Sequence, residues 1–309
     1  WTTRSHLLSP PAPPSPQPLN TSPDLGLRFY NELVERVAEL AAQWMTAGFC
    51  HGVLNTDNMS ITGESFDYGP YAFLETYDAK FTAAYFDYYG RYRYGNQPSI
   101  CQLNLQLLQT PLGQVLPKAE LEAILDQAFE PHYRATYRQL MLQRLGFDRA
   151  NLASLDPTLA DNLVRWTVQL LDDLPVGYHD FFRRLHQQYS PQWRENIQSI
   201  PAALFRPLEG AAGDLAGDLA GDLADDGTVA GDGAQAGEFD LAGWEPWRDA
   251  YHLCLNQSAQ PEAIAPTLAA HNPLTVLTRS RIEAIWEPIA QADNWEPFGA
   301  MVKRLQSLN

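Results

Sequence analysis

Lysine is almost missing. Only Lys80, Lys118 and Lys303 occur in 309 residues, and the 21 basic residues are outweighed by 37 acidic ones, for a formal net charge of −16. A general nucleic-acid binder needs the opposite balance, because Lys and Arg neutralise phosphates. Cysteine is just as scarce. Cys50, Cys101 and Cys254 form no CxxC pair and no even framework, which excludes a disulfide-stapled module and suits a reducing cytoplasm. No run approaches the roughly 18 uninterrupted apolar residues of a membrane-spanning helix. No basic segment leads into an apolar one, so neither a membrane anchor nor a signal peptide is expected. The first residue is Trp1 and not Met, so the sequence reads as part of a longer chain. What is plentiful is apolar and aromatic side chain, 45% and 11%, enough to bury the core of one large domain or two modest ones.

Composition divides the chain. Seven prolines lie between Pro10 and Pro23, which excludes helix and makes 1–23 a Pro-rich linker or loop insertion. At 213–224 the tetrapeptide Gly-Asp-Leu-Ala occurs three times in succession, and from Asp214 to Asp240 eight acidic residues meet no basic one. A four-residue period matches neither the nine-residue calcium β-helix repeat nor the EF-hand loop. The stretch 208–240 therefore reads as an acidic low-complexity linker. It separates a main region, 24–207, from a carboxy-terminal helical segment, 241–309.

Within the main region, Leu33, Val37, Leu40 and Trp44 recur at helical spacing, predicting a helix over 24–47 with Asp24 as its N-cap and Gly48 as its stop. Further helices are predicted near 100–109, 118–145, 158–173 and 178–190, and a weaker one over 191–205. In the tail, Trp244, Trp247 and Tyr251 read as core of that segment, followed by helices near 276–291 and 295–307. The apolar steps Met59–Ile61 and Phe66 around Thr62-Gly63-Glu64 predict a small hairpin.

The chemistry concentrates in 51–67, where His51, Asn55, Asp57, Asn58 and Asp67 fall within seventeen residues. A hard cation such as Mg²⁺ takes one or two carboxylates plus amide oxygens, and substrate phosphates complete its shell. Asn58 and Asp67, placed on either side of the hairpin, would supply two such oxygens, and Gly69 would let the backbone turn beside them. His51 reads as a structural residue packing the loop. Cys50 beside His51 does not make a nucleophile pair by adjacency alone. His179 and His186 lack the further ligands a zinc site needs. Arg91 and Arg93 read as partners in structural salt bridges.

The order helix, His-containing loop ending in Asn, hairpin, then Asp67-Tyr68-Gly69 resembles the catalytic segment of kinase-like folds. The usual catalytic Asp of that loop is replaced by Val53, which leaves Asp57 as its carboxylate. The run GFCHGVLNTDNMSITGESFDYGPYAFLE resembles the signature of the selenoprotein O (bacterial YdiU) family. So do Gly90-Arg91-Tyr92, Tyr94, Gln97-Pro98 and Asn104-Leu105, and more weakly 137–147, 177–185 and 271–277.

The resemblance implies a protein-kinase-like fold, long classed as pseudokinase, that transfers AMP from ATP to Ser, Thr or Tyr hydroxyls of proteins. It implies Asp57 as general base, Asn58 and Asp67 as ligands of Mg²⁺ or Mn²⁺, and Asp67 as a residue near the ATP phosphates. The family's glycine-rich loop, ATP-binding Lys, paired Glu and phosphate-binding Arg residues lie upstream of this signature, and no lysine precedes Lys80 here. The expected fold is therefore mainly α with a small β-hairpin, the carboxy-terminal lobe of a kinase-like protein with the amino-terminal lobe missing. The expected protein is a cytoplasmic adenylyltransferase of incomplete form, with ATP and protein hydroxyls as partners and neither nucleic acid nor membrane. The alternatives are phosphoryl transfer, or a non-catalytic fragment that acts by binding.

Overall fold

The structure is a computed structural model that describes residues 23–207 and 243–307. The Pro-rich segment and the acidic linker fall outside the described residues, apart from Pro23, which opens the first helix. The architecture is mainly helical, with a small two-stranded antiparallel sheet. No described helix is long and apolar enough to cross a membrane.

Helix α1 (Pro23–Ala47) carries Asp24 in its first turn, where a carboxylate complements the helix dipole. Its buried face, with Tyr30, Leu33, Val37 and Ala41, repeats every three or four residues. Gly48 ends it at φ +64, and a Cβ there would sit 2.7 Å from the Tyr178 ring, so glycine is required by both backbone and space. Helices α2 (Gln97–Leu112) and α3 (Lys118–Arg144) close a first core around α1, filled by Ile100, Leu105, Leu121, Leu125 and Phe129. Its buried polar atoms are paired: Tyr30 Oη donates to Leu105 O at 3.1 Å and accepts from Gln109 Nε2 at 3.0 Å.

The far end of α3 reaches a second, larger core. There Met141 and Leu142 meet α5 (Pro157–Asp173), which starts with Pro157 after Asp156, whose side chain accepts from Leu159 N at 2.8 Å. A single turn, α4 (Arg149–Leu152), precedes α5, and α6 (Tyr178–Gln188) buries Phe181, Phe182 and Leu185 in the same core. The weaker helix predicted over 191–205 is not formed. Three 3-10 turns, Pro191–Arg194, Ile197–Ser199 and Ala202–Phe205, occupy the segment.

Helix α7 (Trp244–Gln257) packs on α5 inside this second core. Trp247 stacks on Tyr251 at 4.9 Å, and its Nε1–H donates to Thr167 Oγ1 at 2.8 Å. The Tyr251 hydroxyl donates to Leu145 O at 3.1 Å. The Trp244/Trp247/Tyr251 cluster thus completes the core begun by α3, α5 and α6, and makes no separate core for the tail. Helix α8 (Ile264–His271) follows, and Asn272 beyond it exchanges two bonds with Arg144: Asn272 Nδ2 donates to Arg144 O at 2.8 Å and Arg144 Nε donates to Asn272 Oδ1 at 3.1 Å. Helices α9 (Arg279–Ala292) and α10 (Glu296–Ser307) finish the chain close to the predicted 276–291 and 295–307.

The sheet does not lie where the hairpin was predicted. Strands β1 (Phe49–Cys50) and β2 (Ala72–Phe73) pair antiparallel as Phe49↔Phe73 and Cys50↔Ala72. The Thr62-Gly63-Glu64 turn forms, but it closes only a single bridge, Met59↔Ser65.

Candidate active site

Strand β1 delivers the chain from α1 into the loop at 51–58. Gln97, wholly buried at the start of α2, holds that junction with both ends of its amide. Its Oε1 accepts from His51 N at 2.8 Å and its Nε2 donates to Phe49 O at 2.9 Å. Asn104 Nδ2 donates to Leu54 O at 3.0 Å, and the Tyr92 hydroxyl donates to Asn55 Oδ1. Tyr92, Gln97 and Asn104 are thus braces of this loop. Sequence reasoning quoted them as family motif residues without giving them a task.

His51 is the hub. Val53 N–H donates to its Nδ1 at 3.3 Å, which places the ring proton on Nε2. That Nε2–H faces Phe66 O at 3.1 Å and Ser65 Oγ at 2.9 Å. Burial pushes the imidazole pKa down, against the opposing effects of the Phe66 carbonyl and Asp67. The ring also packs against Tyr68 at 5.0 Å and Trp44 at 5.5 Å. A buried imidazole with both ring nitrogens engaged organises the loop, which is the packing part the sequence reading gave it. Ser65, which the sequence did not single out, donates its hydroxyl to Asn58 O at 2.7 Å, while Phe66 N–H donates to the same oxygen at 3.2 Å. His51, Ser65 and Asn58 therefore tie the two sides of the 58–66 turn together.

The three predicted site residues sit on this framework. Asp57 and Asn58 belong to a 3-10 turn, Thr56–Asn58. Asn58 is buried and donates its Nδ2 to Val53 O at 2.9 Å, so its Oδ1 is the atom left for a ligand. Asp57 is exposed, and its carboxylate has no hydrogen-bond or ion-pair partner among the described residues. Asp67 follows Phe66 in the left-handed region, φ +63, one of two such non-glycine residues described. The sharp turn therefore falls on Asp67 and not on Gly69, where the sequence placed it. Aspartate tolerates this conformation better than most residues. The exposed Asp67 carboxylate likewise accepts no hydrogen bond from the described residues.

The remaining candidates resolve simply. Cys50, Cys101 and Cys254 are buried free thiols. Burial pushes Cys50 to about 11 and Cys101 and Cys254 to about 12, the reverse of an activated nucleophile. Among the described residues no cluster of three or more His, Cys, Asp or Glu could hold a metal ion. The salt bridges expected of Arg91 and Arg93 are not formed among the described residues. Arg91 lies over the Tyr92 ring at 5.4 Å.

A family model described as "Protein adenylyltransferase SelO" matches residues 17–306, and the chain belongs to this family. Among curated proteins it is similar to "Protein nucleotidyltransferase YdiU" of Synechococcus elongatus, 47% identical over 285 residues, 91% of this chain and 51% of the relative. The proteins of the same name from a Synechocystis species (46% identical, 94% of this chain, 54% of the relative) and Trichodesmium erythraeum (45% identical, 90% and 50%) are similar to it at the same level. The chain spans about half the length of the curated relatives it matches.

Proposed function

We propose that this chain is the metal- and substrate-binding lobe of a kinase-like protein adenylyltransferase, which transfers AMP from ATP to hydroxyls of protein Ser, Thr or Tyr residues in the cytoplasm. One observation carries the site assignment. Asn58 commits its amide nitrogen to Val53 O, and the Asp67 carboxylate has no partner among the described residues, so the 58–67 turn keeps an amide oxygen and a carboxylate unspent. Hard oxygen donors of this kind fit Mg²⁺ or Mn²⁺, and with only two of them the phosphates of ATP and water would complete the shell. Asn58 and Asp67 would hold the ion, which supplies charge neutralisation at the phosphate oxygens when bound.

Asp57 is the group for the proton. Its exposed, unpaired carboxylate takes the proton of the attacking hydroxyl. The hydroxyl oxygen bonds to the α-phosphorus, the bond to the bridging α–β oxygen breaks, and pyrophosphate leaves. His51 positions Asn58 and Asp67 through Ser65 and Phe66 and takes no proton itself. With no lysine before Lys80, the cationic groups that a triphosphate needs come from the other half of the family's length.

The test uses this chain joined to that remaining length, with ATP labelled at either the α- or the γ-phosphorus. Protein labelled from α-labelled ATP only is the expected result. Label from the γ-position alone would replace adenylyl with phosphoryl transfer, and no label from either would make the protein a non-catalytic binder.

A further inference from the structure

One cavity has none of Asp57, Asn58 and Asp67 in its lining. Its volume is about 440 Å³, and its wall is built from the end of α1, strand β2, α3, α6 and the segment after α8. This is the size of a small-molecule pocket, and its mixed lining is of the usual kind, largely apolar with a few polar groups. Phe73, Leu140 and Leu277 supply apolar surface, while Arg144, His179 and Thr275 supply polar atoms.

Those polar atoms are poorly provided for. Thr275 is 8% exposed, yet its Oγ1 is buried without a hydrogen-bond partner, and the same is true of His179 Nε2. Buried polar groups are nearly always paired, so two orphans on residues that line one cavity need an explanation; both atoms lie within its wall and meet a ligand when their side chains turn toward it. Arg144 is 6% exposed and lies over the Phe182 ring at 3.6 Å. Its hydrogen bonds go to neutral oxygens, Thr46 O at 2.6 Å and Asn272 Oδ1 at 3.1 Å, and no carboxylate pairs with it among the described residues. A buried guanidinium without a counter-charge is an unfavourable arrangement that an anion would relieve.

We propose that this cavity binds a small organic monocarboxylate, with its charged end on Arg144, Thr275 Oγ1 and His179 Nε2 and its apolar body against Phe73, Leu140 and Leu277. The charge count favours a monoanion. Both lining histidines, His179 and His271, have pKa values lowered by burial, and Arg144 lowers them further, so the lining offers a single positive charge. A bare phosphate dianion would leave charge unmatched and the apolar wall uncovered.

Calorimetric titration of the 309-residue chain tests this with three probes: octanoate, octan-1-ol and inorganic phosphate. Octanoate should bind one to one with a Kd of about 1 mM or below. Octan-1-ol should bind about tenfold more weakly, since it loses the charge-assisted bonds, and phosphate should not bind in that range. Arg144 is tied into the core and its variants risk unfolding, so two gentler changes locate the site. Thr275→Val, which keeps shape, should weaken octanoate several-fold and leave octan-1-ol unchanged. Ala47→Trp, at the cavity wall, should abolish binding of both, with the helical circular dichroism of each variant confirming its fold. Three results would each overturn the proposal: no saturable octanoate binding, equal affinity for octanoate and octan-1-ol, or octanoate affinity unaffected by both substitutions.

Discussion

Asp57 and Asp67 carry the same charge on different backbones, and this separates their expected variants. Asp67 stands at φ +63, where an ordinary L-residue such as Ala is destabilised by roughly 1 kcal/mol, whereas Asn tolerates the conformation. Asp67→Asn is therefore the clean probe of charge. In the full-length protein it should abolish metal-dependent nucleotide binding and AMP transfer together while leaving the melting temperature near that of the parent. Asp57→Ala should leave nucleotide affinity intact and lower turnover by about 10²–10⁴-fold, the usual loss on removing a general base. Measuring affinity and AMP incorporation separately decides the matter. An Asp57→Ala protein that loses ATP as completely as Asp67→Asn refutes the assignment.

Histidine titration is a second residue-scale effect. Burial, then Arg144 and Arg281, lowers the His179 pKa well below its ordinary value, and burial lowers those of His51 and His271 as well. Each stays neutral in the folded chain at a pH where the unfolded chain, with histidine near about 6.5, has taken up a proton. The unfolded state then binds more protons, so stability falls as pH drops below about 6.5 toward the lower folded values. Melting curves at about pH 7.5 and about pH 5.5 should show this loss. It should be smaller in His179→Phe, which removes one contributor and whose Nε2 has no hydrogen bond to forfeit. Equal losses in the two proteins would contradict the argument.

At the scale of elements, the helices were the most legible part of the sequence, because their apolar faces repeat locally. The 118–145 pattern became Lys118–Arg144, and 158–173 became Pro157–Asp173. Residues 191–205 misled because apolar spacing was outweighed by competing local bonds. Ser190 and Asn196 side chains accept from Gln192 N and Gln198 N and start separate turns, while Pro201 has no N–H to continue a helix. The pairing of β1 with β2 was not legible, since it joins residues more than twenty positions apart. Of the candidate site, the sequence offered Asp57, Asn58 and Asp67 as candidates, while the Ser65 link and the left-handed Asp67 depend on how the turn closes.

The seat of α7 on α5 was equally hidden, because Trp247 and Thr167 are 80 positions apart. Thr167→Val keeps the shape but strands the buried indole N–H, which should cost about 1–3 kcal/mol in urea denaturation. Thr267→Val, whose hydroxyl donates only locally, to the O of Ala263 at the N-cap of its own helix, should cost clearly less. Similar losses in both would show that the bond to Trp247 does not anchor α7.

For the molecule as a whole, the composition shift at 208–240 marks a segment that the packing spans. One core cluster contains Met141, Leu163 and Phe181 from before it and Trp247, Tyr251 and Leu268 from after it. The apolar area buried between the two sides belongs to the interior, at roughly 25 cal/mol per Å², and is no surface of a tethered appendage.

The reciprocal bonds between Arg144 and Asn272, 128 positions apart, have a consequence for chain continuity. Residues 23–207 and 243–307 share one apolar core, so the peptide connection between them holds them near each other but is not the source of their affinity. Cutting the chain at a protease site engineered between Asp226 and Gly227 should yield two fragments that co-elute from gel filtration as one species. Co-expressed as separate polypeptides, the two halves should reconstitute the fold by complementation. Separation of the cut fragments under native conditions would refute this. If they hold together, this protein tolerates a break in its chain, or an inserted domain, between Asp226 and Gly227.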